Sequence, residues 1–449
     1  MKTKATRIHW FNFSLPQMRA FHLTWISFSI CFFGWFGIAP LTSVIQKDLK
    51  LTDGQIANSM IASVAITILA RVIIGKICDL YGPRITYTWL LILCSLPVMA
   101  VGLAHDYETF FWARLIIGTV GASFVVTQYH TSLMFASNCV GMANATAAGW
   151  GNMGAGITNM AMPLILAGFV ALGFSEHIGW RLAMIVPGVL MLAAGVAYYF
   201  LTQDTPTGNF ADLQKSGVQI ERKQAGSCME ACKDYRVWAL FVVYGACFGI
   251  EILIHNSVAR YFERSFSLDL KTAGLVAGIF GALAFFARGF GGFCSDTINR
   301  RWGLTGRART LGIALVGQGL SMLVFANAHS LLLAISSLMC FGLFVHMAAG
   351  ATYALIPFIN KKAIGSVAGI VGAGGNVGAV LAGFLLKVDG LSYGQAINYM
   401  GWFVVFAASL AFLVRFSTED ERVSREEIRL ALLTSPEAAL TSKTMSVTE

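Results

Sequence analysis

The sequence predicts an all-α membrane protein of about twelve spanning helices, arranged as two pseudo-symmetric six-helix halves. Three observations predict it: an apolar composition poor in charge, apolar runs that recur along the whole chain, and two residue patterns that each occur twice at nearly constant spacing.

Composition comes first. Of 449 residues, 56% are hydrophobic and only 12% charged, with a mean hydropathy of +0.67. A soluble domain carries roughly twice that charged fraction. A soluble protein this apolar would lack the polar groups to cover its surface, so the apolar surface is expected to face lipid.

Segmentation agrees. Spans are expected near 21–44, 56–80, 86–104, 108–133, 141–171, 180–202, 237–259, 272–295, 309–327, 331–357, 364–387 and 396–415. Each is long enough to cross a hydrocarbon core of roughly 30 Å. The first is too long for a signal-peptide core and no small-residue cleavage pattern follows it, so it is read as retained.

The expected organisation is an N-terminal segment (1–20), a first half (21–203), a polar linker (204–236), a second half (237–415) and a tail (416–449). Basic residues gather in alternate connections: Lys2, Lys4, Arg7 and Arg19; Lys76 and Arg84; Lys215, Arg222, Lys223, Lys233 and Arg236; Arg300, Arg301, Arg307 and Arg309; Lys361 and Lys362. By the positive-inside rule that side is the cytoplasm, with both termini in it. The net charge of +9 is then topological, and its scatter over short loops argues against a nucleic-acid partner. The expected location is the plasma (inner) membrane, as a multi-pass protein working as a monomer.

Other classes fail. No Ser/His/Asp set, metal-ligand spacing or Walker loop is present, so no enzyme, metal or cofactor is expected. Cys228 and Cys232 lack a second pair to complete a metal site. Gly149-x-Gly151-x-x-Gly154 fits the dinucleotide pattern, but it lies in an apolar helix with no preceding strand.

The two halves carry the same marks. Arg71-x-x-x-Gly75-x-x-x-Asp79 returns as Arg288-x-x-x-Gly292-x-x-x-Asp296, an offset of 217 (288 − 71). Gly151-Asn152-Met153-Gly154 returns as Gly375-Asn376-Val377-Gly378, an offset of 224 (376 − 152). Repeats of this kind mark transporter folds built from two related halves.

Arg71 and Arg288 each sit inside an apolar run. A charge at mid-bilayer costs at least about 2.5–3.5 kcal/mol, and arginine cannot escape by losing its proton. Asp79 is eight residues from Arg71, about 12 Å along the helix, so it cannot be the direct partner; the same holds for Asp296 and Arg288. No other acid is obvious at matching depth in those spans. Each guanidinium is therefore expected to meet an anionic solute, which its planar fork suits. The alternative is that they bond carbonyls or the Glu251 carboxylate.

Several segments resemble a known family. Gly75-Lys76-Ile77-Cys78-Asp79-Leu80-Tyr81-Gly82-Pro83-Arg84 resembles the loop motif of the major facilitator superfamily. The stretch from Gly292 to Arg301 is its weaker repeat, lacking the second Gly, and Arg114-x-x-x-Gly118-x-x-Gly121 resembles the helix-four motif. The paired Gly-Asn segments, with paired intramembrane arginines, resemble the nitrate/nitrite porter family within it. The resemblance covers the chain to about 415.

It implies the major facilitator fold and proton-linked nitrate import, with nitrate/nitrite antiport or nitrite export as alternatives; a facilitator of another small anion, or a non-transporting sensor on the same fold, is more remote. It also implies that Phe124, Tyr244 and Phe248 clamp the anion. The loop motif implies gating contacts for Asp79, Arg84, Asp296 and Arg300. Asn152 and Asn376 are read as bonding the anion, its arginines or neighbouring backbone. Gly151, Gly154, Gly375 and Gly378 are read as close-packing positions. Residues 244, 248, 251 and 255 follow a helical spacing, so Glu251 and His255, with His130, are the proton-coupling candidates; His346 also lies within or near the membrane. The rival reading pairs Glu251 and His255 with Arg260, or with each other.

Overall fold

A computed structural model describes residues 4–136, 139–215, 227–360 and 364–433. The side chains of Asp79, Cys228 and Arg300 lie outside the described residues, as do Lys2, Arg222, Lys223, Lys361 and Lys362.

Among the described residues, twelve helices are long and apolar enough to span a membrane: α1 (Pro16–Asp48), α2 (Asp53–Cys78), α3 (Pro83–Leu103), α4 (Tyr107–Met134), α5 (Met142–Ala171), α6 (Glu176–Leu201), α7 (Tyr235–Phe266), α8 (Leu270–Asn299), α9 (Arg301–Ala326), α10 (Leu331–Ile356), α11 (Ser366–Leu385) and α12 (Tyr393–Leu413). They match the expected spans one for one. The protein is a multi-pass membrane protein, and an even number of spans puts both termini at one end.

Local sequence sets the helix starts. Thr52 with Gln55, Asp106 with Thr109 and Ser392 with Gln395 form reciprocal caps at α2, α4 and α12, each satisfying donors that the first helical turn leaves open. Between α2 and α3 the chain turns at Gly82 with φ +85°, and the Asp204 carboxylate stands within 2.7 Å of where a Cβ would be. Only glycine fits there. Large apolar side chains such as Leu69, Ile73, Trp89 and Leu93 point outward. They line an apolar groove of about 650 Å³ on α2–α4, as a lipid-facing surface should.

The repeated glycines pack the same way in each half. A Cβ at Gly151 or Gly154 would stand 2.1 Å from Phe28 or 2.3 Å from the Ser29 carbonyl, so α5 lies hard against α1. A Cβ at Gly375 or Gly378 would stand 2.6 Å from Phe248 or 2.4 Å from the Gly245 carbonyl, so α11 lies hard against α7.

The halves meet unevenly along their length. Toward the end opposite the termini, Gly156 of α5 abuts Gly278 and Gly281 of α8 backbone to backbone. At that end Asp53 pairs with Arg260 and Arg264 of α7 at 2.7 and 2.8 Å, and Gln46 also bonds Arg260. Near mid-depth Trp150 of α5 stacks on Phe285 of α8, centroids 5.3 Å apart. Gly289 and Gly292 continue the Phe285 face one and two turns further, yet nothing lies within 4 Å of their Cβ positions. The bundle is closed at the end opposite the termini.

Beyond the spans, the tail forms a helix from Thr418 to Leu433. It is anchored by Glu421, which accepts from the N–H groups of Leu304 and Thr305 at 2.9 and 3.0 Å.

Candidate functional site

The two repeated arginines converge at mid-depth between the halves, but their surroundings differ. Arg71 Nη1 donates to the Gly372 carbonyl of α11 at 2.9 Å, and Nε reaches the Gly121 carbonyl at 3.4 Å. Among the described residues no carboxylate pairs with it. It is 7% exposed. Arg288, 1% exposed, has an acid: its Nη2 donates to both Glu251 oxygens, at 2.8 and 2.7 Å.

These are the partners of the alternative reading: carbonyls for Arg71 and the Glu251 carboxylate for Arg288. Glu251 lies on a different helix from Arg288, so helix-to-helix contact rather than spacing along one helix brings them together. The rival pairing of Glu251 with Arg260 is corrected. Nine residues put Arg260 about 13 Å further along α7, where it meets Asp53.

Asn152 completes the Arg288 shell. With its amide oxygen facing the guanidinium, it accepts from Nη1 at 3.0 Å, Nη2 at 2.6 Å and Nε at 3.1 Å. This orientation is the one in which donor faces acceptor. Asn376 is fully buried with neither amide atom bonded. Such a group costs about 1–3 kcal/mol unless something fills the place of its missing partner.

An aromatic cage joins the two arginines. Phe248 has the Arg71 guanidinium carbon 6.0 Å and the Arg288 one 5.4 Å from its centroid, and Arg71 also sits 5.2 Å from Phe124. Tyr244 stacks directly on Phe248, centroids 5.0 Å apart. Phe124 and Phe248 face each other across a wider 6.4 Å.

Residues 244 to 251 do not follow the regular helical spacing expected of them. Gly245–Gly249 is a π turn, and the Tyr244–Phe248 stack spans it. Tyr353 of α10 closes the cage edge-on to Phe124 and Tyr244, at 5.4 and 5.3 Å. The Tyr244 and Tyr353 hydroxyls are buried without hydrogen-bond partners.

Tyr353 was not singled out from sequence. One tyrosine in an apolar run carries no spacing signal, and only its place opposite Arg71 marks it: a Cβ at Gly372 would sit 3.5 Å from its hydroxyl and 3.6 Å from Arg71 Nη1.

The remaining expected residues separate. His346 of α10 stands beside Glu251, Nδ1 to Oε2 3.5 Å. His255 packs edge-on against Phe36 and Phe280 with neither ring nitrogen bonded. His130 is held inside the first half by the Tyr198 hydroxyl at 2.5 Å and the Gln203 carbonyl at 2.8 Å, apart from the arginines. Asp296 pairs with Arg307 at 2.6 Å. Arg84 donates its N–H to Asp204 at 2.8 Å and its Nε to the Tyr199 carbonyl at 3.0 Å.

Twelve spans in two repeated halves, with charged side chains meeting at mid-depth between them, is the build of a secondary transporter. The family model of the Major Facilitator Superfamily matches residues 24–382. High affinity nitrate transporter 2.5 of Arabidopsis thaliana is 38% identical over 381 residues, covering 85% of this chain and 76% of that protein. High-affinity nitrate transporter 2.3 of Oryza sativa is 34% identical, covering 92% and 80%. The nitrate/nitrite transporter NrtP of Nostoc punctiforme is 31% identical, covering 83% and 87%. Among solved structures, a bacterial homologue of the human lysosomal transporter Spinster, inward-facing and unoccupied, superposes with a TM-score of 0.67 at 14% identity. That match covers 89% of this chain and 96% of the homologue, and it concerns the fold alone. The chain belongs to the Major Facilitator Superfamily and, within it, to the nitrate/nitrite porter family. These relatives bear the names of transporters, not of enzymes.

Proposed function

We propose that this protein imports nitrate by proton symport, through alternating access, with the anion held between Arg71 and Arg288. The observation that carries the reading is the cage itself. Two buried guanidiniums share one aromatic ring, and two tyrosyl hydroxyls and the Asn376 amide lie buried without partners.

A flat anion between two rings needs a centroid separation of about 7 Å, twice a contact distance. Phe124 and Phe248, at 6.4 Å, need widen by only a fraction of an ångström. Nitrate is flat, carries one negative charge and has three acceptor oxygens. The guanidiniums, hydroxyls and amide supply donors around its edge. Nitrite has the same charge and flatness and enters as a second substrate, in keeping with the name of the Nostoc relative.

By the positive-inside rule the basic connections support termini in the cytoplasm, and the end closed by Asp53 would then face outward. The proton would act at the Glu251 cluster, since intramembrane acids commonly serve as relays.

The test is nitrate uptake into proteoliposomes, either under an inward proton gradient or with nitrite inside and no gradient. Uptake driven by the gradient alone supports symport. Uptake only against internal nitrite makes the protein an exchanger. No uptake by folded protein in either arrangement refutes nitrate transport.

A further inference from the structure

Glu251 stands where an anion would bind Arg288, and the atom it turns to its other side is a histidine nitrogen. His346 Nε2 lies 3.2 Å from the Phe280 carbonyl. A carbonyl only accepts, so Nε2 carries the hydrogen. In neutral His346 the Nδ1 is then a bare lone pair. It faces Glu251 Oε2 at 3.5 Å with no hydrogen-bond partner. With His346 neutral, two acceptors oppose each other in a sealed place, His346 0% and Glu251 1% exposed. One proton would convert that opposition into a hydrogen bond.

We propose that the gap between Glu251 Oε2 and His346 Nδ1 is the proton site of this transporter, and that a proton there releases Arg288 to the transported anion. The proposal rests on the nitrate reading and deepens it. In the empty carrier, Glu251 occupies the Arg288 fork as a built-in anion. A proton entering the gap is held between carboxyl and imidazole, and the carboxylate loses its claim on the guanidinium. Nitrate takes the vacated donors.

Charge closes the cycle. Arg71, Arg288 and Glu251 together carry one net positive charge when empty, and one again with a proton and a nitrate added. Both forms can then cross between states at similar desolvation cost, whereas a proton without nitrate would leave the site with a second net positive charge. The groups facing Glu251 are Arg288 from α8, His346 from α10, and Tyr244, Cys247 and His255 from its own helix. Among the described residues, only His346 offers an unpartnered base within 3.5 Å.

The test uses the purified full-length protein in a weakly buffered detergent solution with a pH indicator. On mixing with nitrate, the wild type should take up about one proton per anion bound. Its apparent affinity should rise by up to about tenfold per pH unit lowered, by reciprocity of linked binding. His346→Gln should bind nitrate with little proton uptake and a flattened pH profile, and Glu251→Gln should abolish the uptake. Nitrate binding by the wild type without proton uptake, anywhere between about pH 5 and pH 8, overturns the proton site while leaving nitrate binding intact. Full proton uptake in a folded Glu251→Gln protein overturns it equally. Absence of nitrate binding removes the underlying reading, and the proton site with it.

Discussion

Arg71→Lys separates charge from shape at the binding site. Lysine keeps the positive charge and its attraction to the Phe124 and Phe248 rings, but it replaces a planar fork with a single ammonium. In the structure Arg71 spends Nη1 on the Gly372 carbonyl at 2.9 Å and Nε on Gly121, and Nη2 remains for an anion. An ammonium at the end of a flexible stem cannot hold the carbonyl and present a second fixed donor along the anion edge. The variant therefore loses at least one charge-assisted hydrogen bond, about 1.5–3 kcal/mol, or roughly a ten- to hundredfold weaker Kd for nitrate. Titration calorimetry on the purified variant, checked for folding by its melting temperature, gives the number. A nitrate affinity equal to that of the wild type in a folded Arg71→Lys protein would refute the idea that this arginine grips the anion through its geometry.

Other perturbations follow from contacts already described. Tyr353→Phe removes a buried hydroxyl that has no partner, so melting temperature should hold while nitrate affinity falls by roughly three- to tenfold, the worth of one neutral hydrogen bond; unchanged affinity takes Tyr353 out of the site. Asp53→Asn breaks the pairs with Arg260 and Arg264. As partly exposed pairs these are worth up to about 1 kcal/mol each, so the closed end should open more often. A cysteine at Asn256, which lines a cavity of about 30 Å³ near that end, should label severalfold faster, and an unchanged rate means the pairs hold nothing shut. Gly154→Ala would put a methyl group 2.3 Å from the Ser29 carbonyl, whereas Gly168→Ala meets nothing within 4 Å. The first should cost about 1–3 kcal/mol and lower the melting temperature, and the second should not; equal melting temperatures would contradict the close α1–α5 contact.

The fold was legible because a bilayer leaves so few alternatives. Every spanning segment must satisfy its backbone internally and be apolar over about twenty residues, and that requirement is written in the sequence one span at a time. The arginines were legible for a related reason, since a charge in such a run stands out. What could not be read was which helix faces which. Glu251 was visible as an acid in α7, but its meeting with Arg288 is a contact between helices that no spacing within one helix encodes. Tyr353 belongs to α10, whose apolar pattern is unbroken around it, so only assembly gives it a role. The π turn was hidden too. Gly245 and Gly249 flank it, and their lack of side chains lets α11 approach, but nothing in the hydrophobic period shows the chain winding wider there.

The π turn has a consequence for how α7 can move. Each residue of a regular helix turns the chain by about 100°. If the extra residue at Gly245–Gly249 were taken up elsewhere along α7, everything beyond it would swing by about that angle against everything before it. The Tyr244–Phe248 stack spans this joint, and Glu251 with its grip on Arg288 lies just past it. The two cannot both survive such a swing. A shift of the extra residue along α7 would therefore disengage the acid and rearrange the aromatic stack in one motion.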